Sequence, residues 1–141
     1  MLRIDIARLT STQDAAIAAA AVLGLVDPTM TGIGGDAFSL YYESKTRKIT
    51  ALNGSGRSAS GATLEDVCRD LKVTDRIHGT IPQTSGLAVT VPGAAAAWAD
   101  IVAVHGSGKV SLSQVLQPAI DLAEQGFPVS EISSYYVSWS A

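Results

Sequence analysis

The residues whose types and spacing could do chemistry are few. From Thr31 to Tyr42 the chain reads TGIGGDAFSLYY. Gly32 to Ala37, G-I-G-G-D-A, matches the spacing of a dinucleotide fingerprint. That fingerprint requires a strand entering the loop and a helix leaving it, so that the helix N-terminus faces a pyrophosphate. Here the order reads helix, loop, strand, and no phosphate site is predicted. Gly32, Gly34 and Gly35 read instead as a tight bend that lets a small-residue helix abut a sheet.

A second loop, NGSGRSASG from Asn53 to Gly61, carries Arg57. It is the only charged residue between Lys48 and Glu65. It follows a predicted strand directly, where functional groups often lie. An arginine there could clamp a carboxylate with two parallel hydrogen bonds. It could equally be a solvated loop residue, and the residues alone leave both readings open.

The remaining candidates read as structural. Cys68 has Arg69 beside it, but its helical position suggests a half-buried filler rather than a reactive thiol. His105 falls at a helix C-terminus, where a charge–dipole contact accounts for it. His78 lies in a polar loop. Asp100, Asp121 and Glu124 read as solvent-facing helix charges, and Trp98 and Trp139 as packing residues. No Ser-His-Asp set or carboxylate pair is visible.

Composition narrows the classes further. The chain has 141 residues, 47% apolar and only 16% charged, so much of its surface is predicted to meet protein. A formal net charge of -3, with no Lys/Arg cluster, argues against nucleic acid. One cysteine and two histidines exclude an internal disulfide and leave no metal motif. The opening MLRIDIARLT is charged and lacks an apolar signal core. The apolar run Ala15 to Val26 is too short to span a bilayer, so no membrane segment is predicted.

The elements that must position Arg57 follow from periodicity and caps. Ser11 or Thr12 caps an alanine-rich helix to Val26, with Asp14 in its first turn, and Asp27-Pro28 ends it. Ala37 to Leu52 reads as a hairpin around a polar turn, Lys45 to Lys48. Thr63 opens a short helix with Leu64, Val67 and Leu71 on one face. LAVTVPG is an extended piece feeding a helix from Ala94 to His105, striped by Trp98, Ile101, Val102 and His105. Ser111 and Gln114 form a capping box. Pro118 is predicted to start a new helix, which Gly126 closes, and Ser130 opens the last.

Four segments together resemble one family. They are DAAIAAAAVLGLVDPTMTGIGGDAFSLYY, LNGSGRSASGAT, GLAVTVPGAAAAW and LSQVLQPAIDLAEQGFPVS. In order and spacing they resemble the large-subunit portion of a gamma-glutamyltranspeptidase (glutathione hydrolase) or an acylase-like relative, from Asp14 to Ser130. The resemblance implies an α/β (α+β) fold, the helix-rich part of the four-layer αββα sandwich of N-terminal-nucleophile hydrolases. It implies a precursor that cleaves itself. The new N-terminal threonine of the small subunit is then the nucleophile, with its own amine as base. The implied partners are that small subunit and a gamma-glutamyl substrate such as glutathione. No cofactor and no metal are implied, and the glycine bend is structural.

Departures from the pattern set further expectations. The family's catalytic threonine lies downstream of the matched region, so no catalytic residue is expected here. Thr80, Thr84 and Thr90 do not take its role. Residues 1–13 read as an unmatched or mis-started segment, and 14–141 as a partial large-subunit domain truncated at both ends. The family carries asparagine where Ser11 stands. Transpeptidases of the family hold the substrate α-carboxylate with an arginine in a D-x-R-E-like context. A gap-free alignment puts Ser55 in that column and Arg57 two places later, a GSGR form often seen on the acylase-like side. Arg57 then binds the carboxylate from a shifted position, with Ser55 as the alternative, or glutamyl specificity is relaxed. Two functions are therefore carried forward. One is part of a gamma-glutamyl hydrolase/transferase or related acylase. The other is a non-catalytic fragment or pseudo-subunit.

Overall fold

The computed structural model describes residues 11–139. The N-terminal MLRIDIARLT and the Trp139 side chain, both read above from sequence, lie outside the residues and side chains described. The elements are α1 (Thr12–Val26), β1 (Ala37–Glu43), β2 (Lys48–Gly54), α2 (Leu64–Asp70), α3 (Gly93–His105), α4 (Leu112–Gln125) and α5 (Glu131–Trp139), with a 3-10 turn at Gly86–Ala88. The class is α+β, as expected.

Local chemistry explains the boundaries. The Ser11 hydroxyl accepts from the Asp14 N–H at 3.1 Å and caps α1. Thr63 caps α2 in the same way. Ser111 and Gln114 form the reciprocal capping box of α4. Gly126 ends α4 with φ +79°, a left-handed region that costs glycine little.

β1 and β2 pair antiparallel, from Ala37↔Gly54 at the open end to Glu43↔Lys48 at the turn. Strand alternation gives the hairpin two unlike faces. One, with Ser39, Tyr41 and Leu52, is half-buried toward the helices. The other exposes Phe38 (70%), Leu40 (79%), Tyr42 (57%) and Ile49 (70%). Such an apolar face is larger than a solvated sheet normally shows.

The core joins three helices. Ile17, Ala18 and Ala21 of α1 meet Trp98 and Ile101 of α3 and Val115 of α4, with Ala37 and Leu52 of the hairpin packed on the edge. Alanines on α1 and α3 permit this close approach, and Trp98 fills the space they leave. Val115 is wholly buried.

One expectation is overturned and two are refined. Pro118 does not start a helix: α4 runs through it from Leu112 to Gln125. A proline inside a helix forfeits one backbone bond. Here Val115, Leu116 and Ala119, on either side of it, all pack on the core, and that burial holds the helix together. LAVTVPG is extended, as expected, only from Val89 onward. Its first residues enter the 3-10 turn, and Val91 N–H donates to Arg57 O at 2.9 Å. Finally, residues 86–105 do match a membrane span in length and apolarity. The backbone there is broken before Pro92, and α3 itself has 13 residues. At ~1.5 Å per residue that is well short of a bilayer core. Ala94, Ala97, Trp98 and Ile101 spend its apolar face on the core.

Candidate functional site: a clamped arginine loop

The Gly/Ser loop leaves β2 at Gly54 and is fastened at once. Asp36, the residue before β1, lies across the open end of the hairpin. Its Oδ1 accepts from Gly56 N–H at 2.7 Å and its Oδ2 from the Ser55 hydroxyl at 3.2 Å. Asn53 Oδ1 accepts from Ser55 N–H at 3.0 Å. Beyond Arg57, the Val91 N–H bond to its carbonyl ties the loop to the segment entering α3.

The same region needs glycine for closeness. A Cβ on Gly93 would collide with Gly54 O and Gly56 N, and one on Gly54 with Ala97 Cβ. The α3 N-terminus therefore presses directly on the loop. The glycine bend joins in: Ala94 N–H donates to Gly35 O at 2.8 Å. Gly32 lies beside Gly24 of α1, 3.4 Å from where a Cβ there would stand, whereas a Cβ on Gly34 would meet nothing.

Between the loop and α3 lies an open cavity of about 270 Å³, whose lining includes Ser55, Gly56, Arg57, Pro92, Ala96 and Asp100. Arg57 is exposed and makes no ion pair among the described residues. Asp100, read from sequence as a solvent charge, is exposed but shares this cavity. A larger hollow of about 530 Å³ lies between α1, α3, the glycine bend and β1. It is mainly apolar and carries no arginine. Arg57 brings a cationic residue to the lining of the smaller cavity and Asp100 an acidic one.

The other sequence candidates scatter. The His105 ring lies against that of Tyr41, centroids 4.6 Å apart, so it packs as well as ending α3. His78 pairs with Asp75 in an exposed turn, Nδ1 to Oδ2 at 3.0 Å, and Asp75 Oδ1 accepts from the N–H of Ile77 and of His78. The His78 and Ile77 backbone bonds, then the His78 ring, hold the Asp75 carboxyl below its usual range. Cys68 is half-buried on α2, as expected. Asp66 of that helix is also held low, by Thr63 and by Arg69. No group of histidine, cysteine and carboxylates fit to hold a metal occurs among the described residues.

Two residues escaped the sequence reading. Asp14, taken as a first-turn charge, is completely buried and bonds Ser107. Asp36 went unnoticed inside the glycine motif. Only its place directly before a strand hinted that it could face the far end of a hairpin.

The gamma-glutamyltranspeptidase family model matches residues 8–141. The chain belongs to the gamma-glutamyltranspeptidase family. It is 41% identical over 117 residues to the glutathione hydrolase-like YwrD proenzyme of Bacillus subtilis (strain 168), covering 83% of this chain and 21% of that protein. It is 33% identical over 129 residues to the glutathione hydrolase proenzyme of the same organism, covering 89% and 21%. The crystal structure of Helicobacter pylori gamma-glutamyltranspeptidase superposes with a TM-score of 0.74 at 26% identity, over 92% of this chain and 36% of that one. The chain thus spans about a fifth of the length of these curated relatives.

Proposed function

We propose that this chain is the large-subunit portion, residues 14–141, of a gamma-glutamyltranspeptidase-like enzyme acting on glutathione and related gamma-glutamyl amides. Arg57 holds the substrate α-carboxylate. The nucleophilic threonine and its amine base come from the small subunit of the same precursor, so the chain alone does not turn over substrate. The observation that carries this reading is the guanidinium of Arg57, without an ion pair among the described residues, on a loop fastened at both ends beside an open cavity. The exposed apolar face of the hairpin supports a second sheet packed on it, as in a four-layer sandwich.

Ser55 is the weaker candidate, because its hydroxyl already donates to Asp36 and its N–H to Asn53. Arg57→Ala in the complete enzyme tests the assignment. A desolvated charge-assisted pair is worth on the order of 2–4 kcal/mol, or roughly 30- to 1,000-fold in kcat/KM. The loss should fall on a gamma-glutamyl anilide and spare the 4-aminobutyryl anilide, which lacks the carboxylate. A loss below about threefold, or an equal loss on both substrates, overturns it.

The position of Arg57, two residues past the column where the resemblance expects an arginine, favours a second reading. In it the enzyme is an acylase-like relative with relaxed glutamyl specificity. Faster turnover of simple acyl amides than of gamma-glutamyl amides would support that reading instead.

A further inference from the structure

We propose that Asp36 is a positioning residue that sets where Arg57 presents its guanidinium; this rests on the reading of Arg57 as the carboxylate-binding group. Asp36 is separated from its two partners by 19 and 20 residues, so its bonds are tertiary and not a local turn. Both carboxylate oxygens are used, one by a backbone N–H and one by a hydroxyl. Bonds to an ionised acceptor are the stronger kind. The Gly56 N–H held by Asp36 belongs to the residue immediately before Arg57. On the other side, Val91 holds the Arg57 carbonyl.

The backbone of Arg57 is therefore fixed from both directions while its side chain stays free. An arginine on a loose loop must lose that freedom when it binds, which weakens affinity; a clamped one has lost it already. The charge of Asp36 is answered by the loop's own donors. Arg57 makes no ion pair among the described residues, so its guanidinium remains available to a substrate anion. Glycine at 54, 56 and 93 allows the clamp to close, because a Cβ at any of them would collide with its neighbours.

The test compares Asp36→Ala, Asp36→Asn and Arg57→Ala in the complete precursor-derived enzyme, with gamma-glutamyl anilide and 4-aminobutyryl anilide as probes. Asp36→Ala is expected to raise KM for the gamma-glutamyl anilide about 10-fold, with kcat within about twofold. The loss should be confined to the substrate that carries the carboxylate. Asp36→Asn should recover part of it, since the amide oxygen still accepts from Gly56. In the Asp36→Ala/Arg57→Ala double variant the two losses should not add. An unchanged KM in Asp36→Ala, beside a raised KM in Arg57→Ala, overturns the role of Asp36 and leaves that of Arg57 intact. An unchanged KM in Arg57→Ala overturns both. A readout independent of turnover is tryptic cleavage of the complete enzyme. Asp36→Ala should speed cleavage after Arg57 about 10-fold while cleavage after Lys72 stays near wild type. Equal acceleration at both bonds, or none, makes Asp36 a general stability residue and overturns the proposal.

Discussion

Asp14 Oδ2 accepts a hydrogen bond from Ser107 N–H at 3.3 Å, joining residues 93 positions apart. The carboxylate is fully buried, and a Cβ on Gly106 would stand 2.9 Å from its Oδ1. Oδ1 itself has no partner among the described residues. The start of α1 is thereby tied to the turn that follows α3. Asp14→Ala should cost about 1–3 kcal/mol, because the partly buried Ser107 N–H loses its acceptor. Asp14→Asn, which keeps an acceptor oxygen of the same reach, should cost less. Urea unfolding of the two variants beside wild type checks the order.

Gly93→Ala should be among the more damaging single-methyl additions. The new Cβ would meet backbone atoms of Gly54 and Gly56, which cannot swing aside as a side chain can. Overpacking of this kind costs about 1–3 kcal/mol. Gly34→Ala enters open space and should change stability little. Denaturant midpoints of the pair measure the contrast.

Acid should loosen the turn at residues 75–79. Asp75 has a depressed pKa in the folded chain, owing first to the His78 N–H, then to the Ile77 N–H and the His78 ring. Its contribution is complete above the unfolded-state aspartate value and is lost as pH falls through the lower folded value. The group is fully solvated, so the effect is local. The Ile77 and His78 amide resonances should titrate together, with a midpoint below that of a free aspartate. Midpoints at the ordinary value would contradict the bonding.

The isolated 141-residue chain should show no hydrolysis of a chromogenic gamma-glutamyl anilide. In the division of labour proposed above the nucleophile and its amine base both come from the small subunit, and the covalent route depends on them. Measurable turnover by pure chain would refute the division of labour proposed above.

The isolated chain should also bind an apolar dye and self-associate through the open face of the hairpin. Leu40→Lys with Ile49→Glu should lower both, as both side chains are largely exposed on that face. In the complete enzyme the same pair should impair assembly. Dye fluorescence and light scattering report the first effect, and recovery of assembled enzyme the second.

Sequence by itself determined the elements whose causes are local. The Ser11, Thr63 and Ser111 caps, the hairpin alternation and the stop at Gly126 each depend on a few adjacent residues. The family resemblance was legible for a related reason: it rests on the order of four short segments. Pro118 runs against its sequence reading because its intrinsic preference is local, while the packing of α4 on α1, with Val115 and Ala119 at the core, that overrides it is not. Asp14 and Asp36 were missed on the same ground. Nothing near either residue in the chain distinguishes a surface aspartate from one whose partner lies 93 or 20 positions away. Only the tertiary structure, by closing the hairpin and pressing α3 onto the loop, decided that Arg57 stands on a fixed backbone with no ion pair among the described residues.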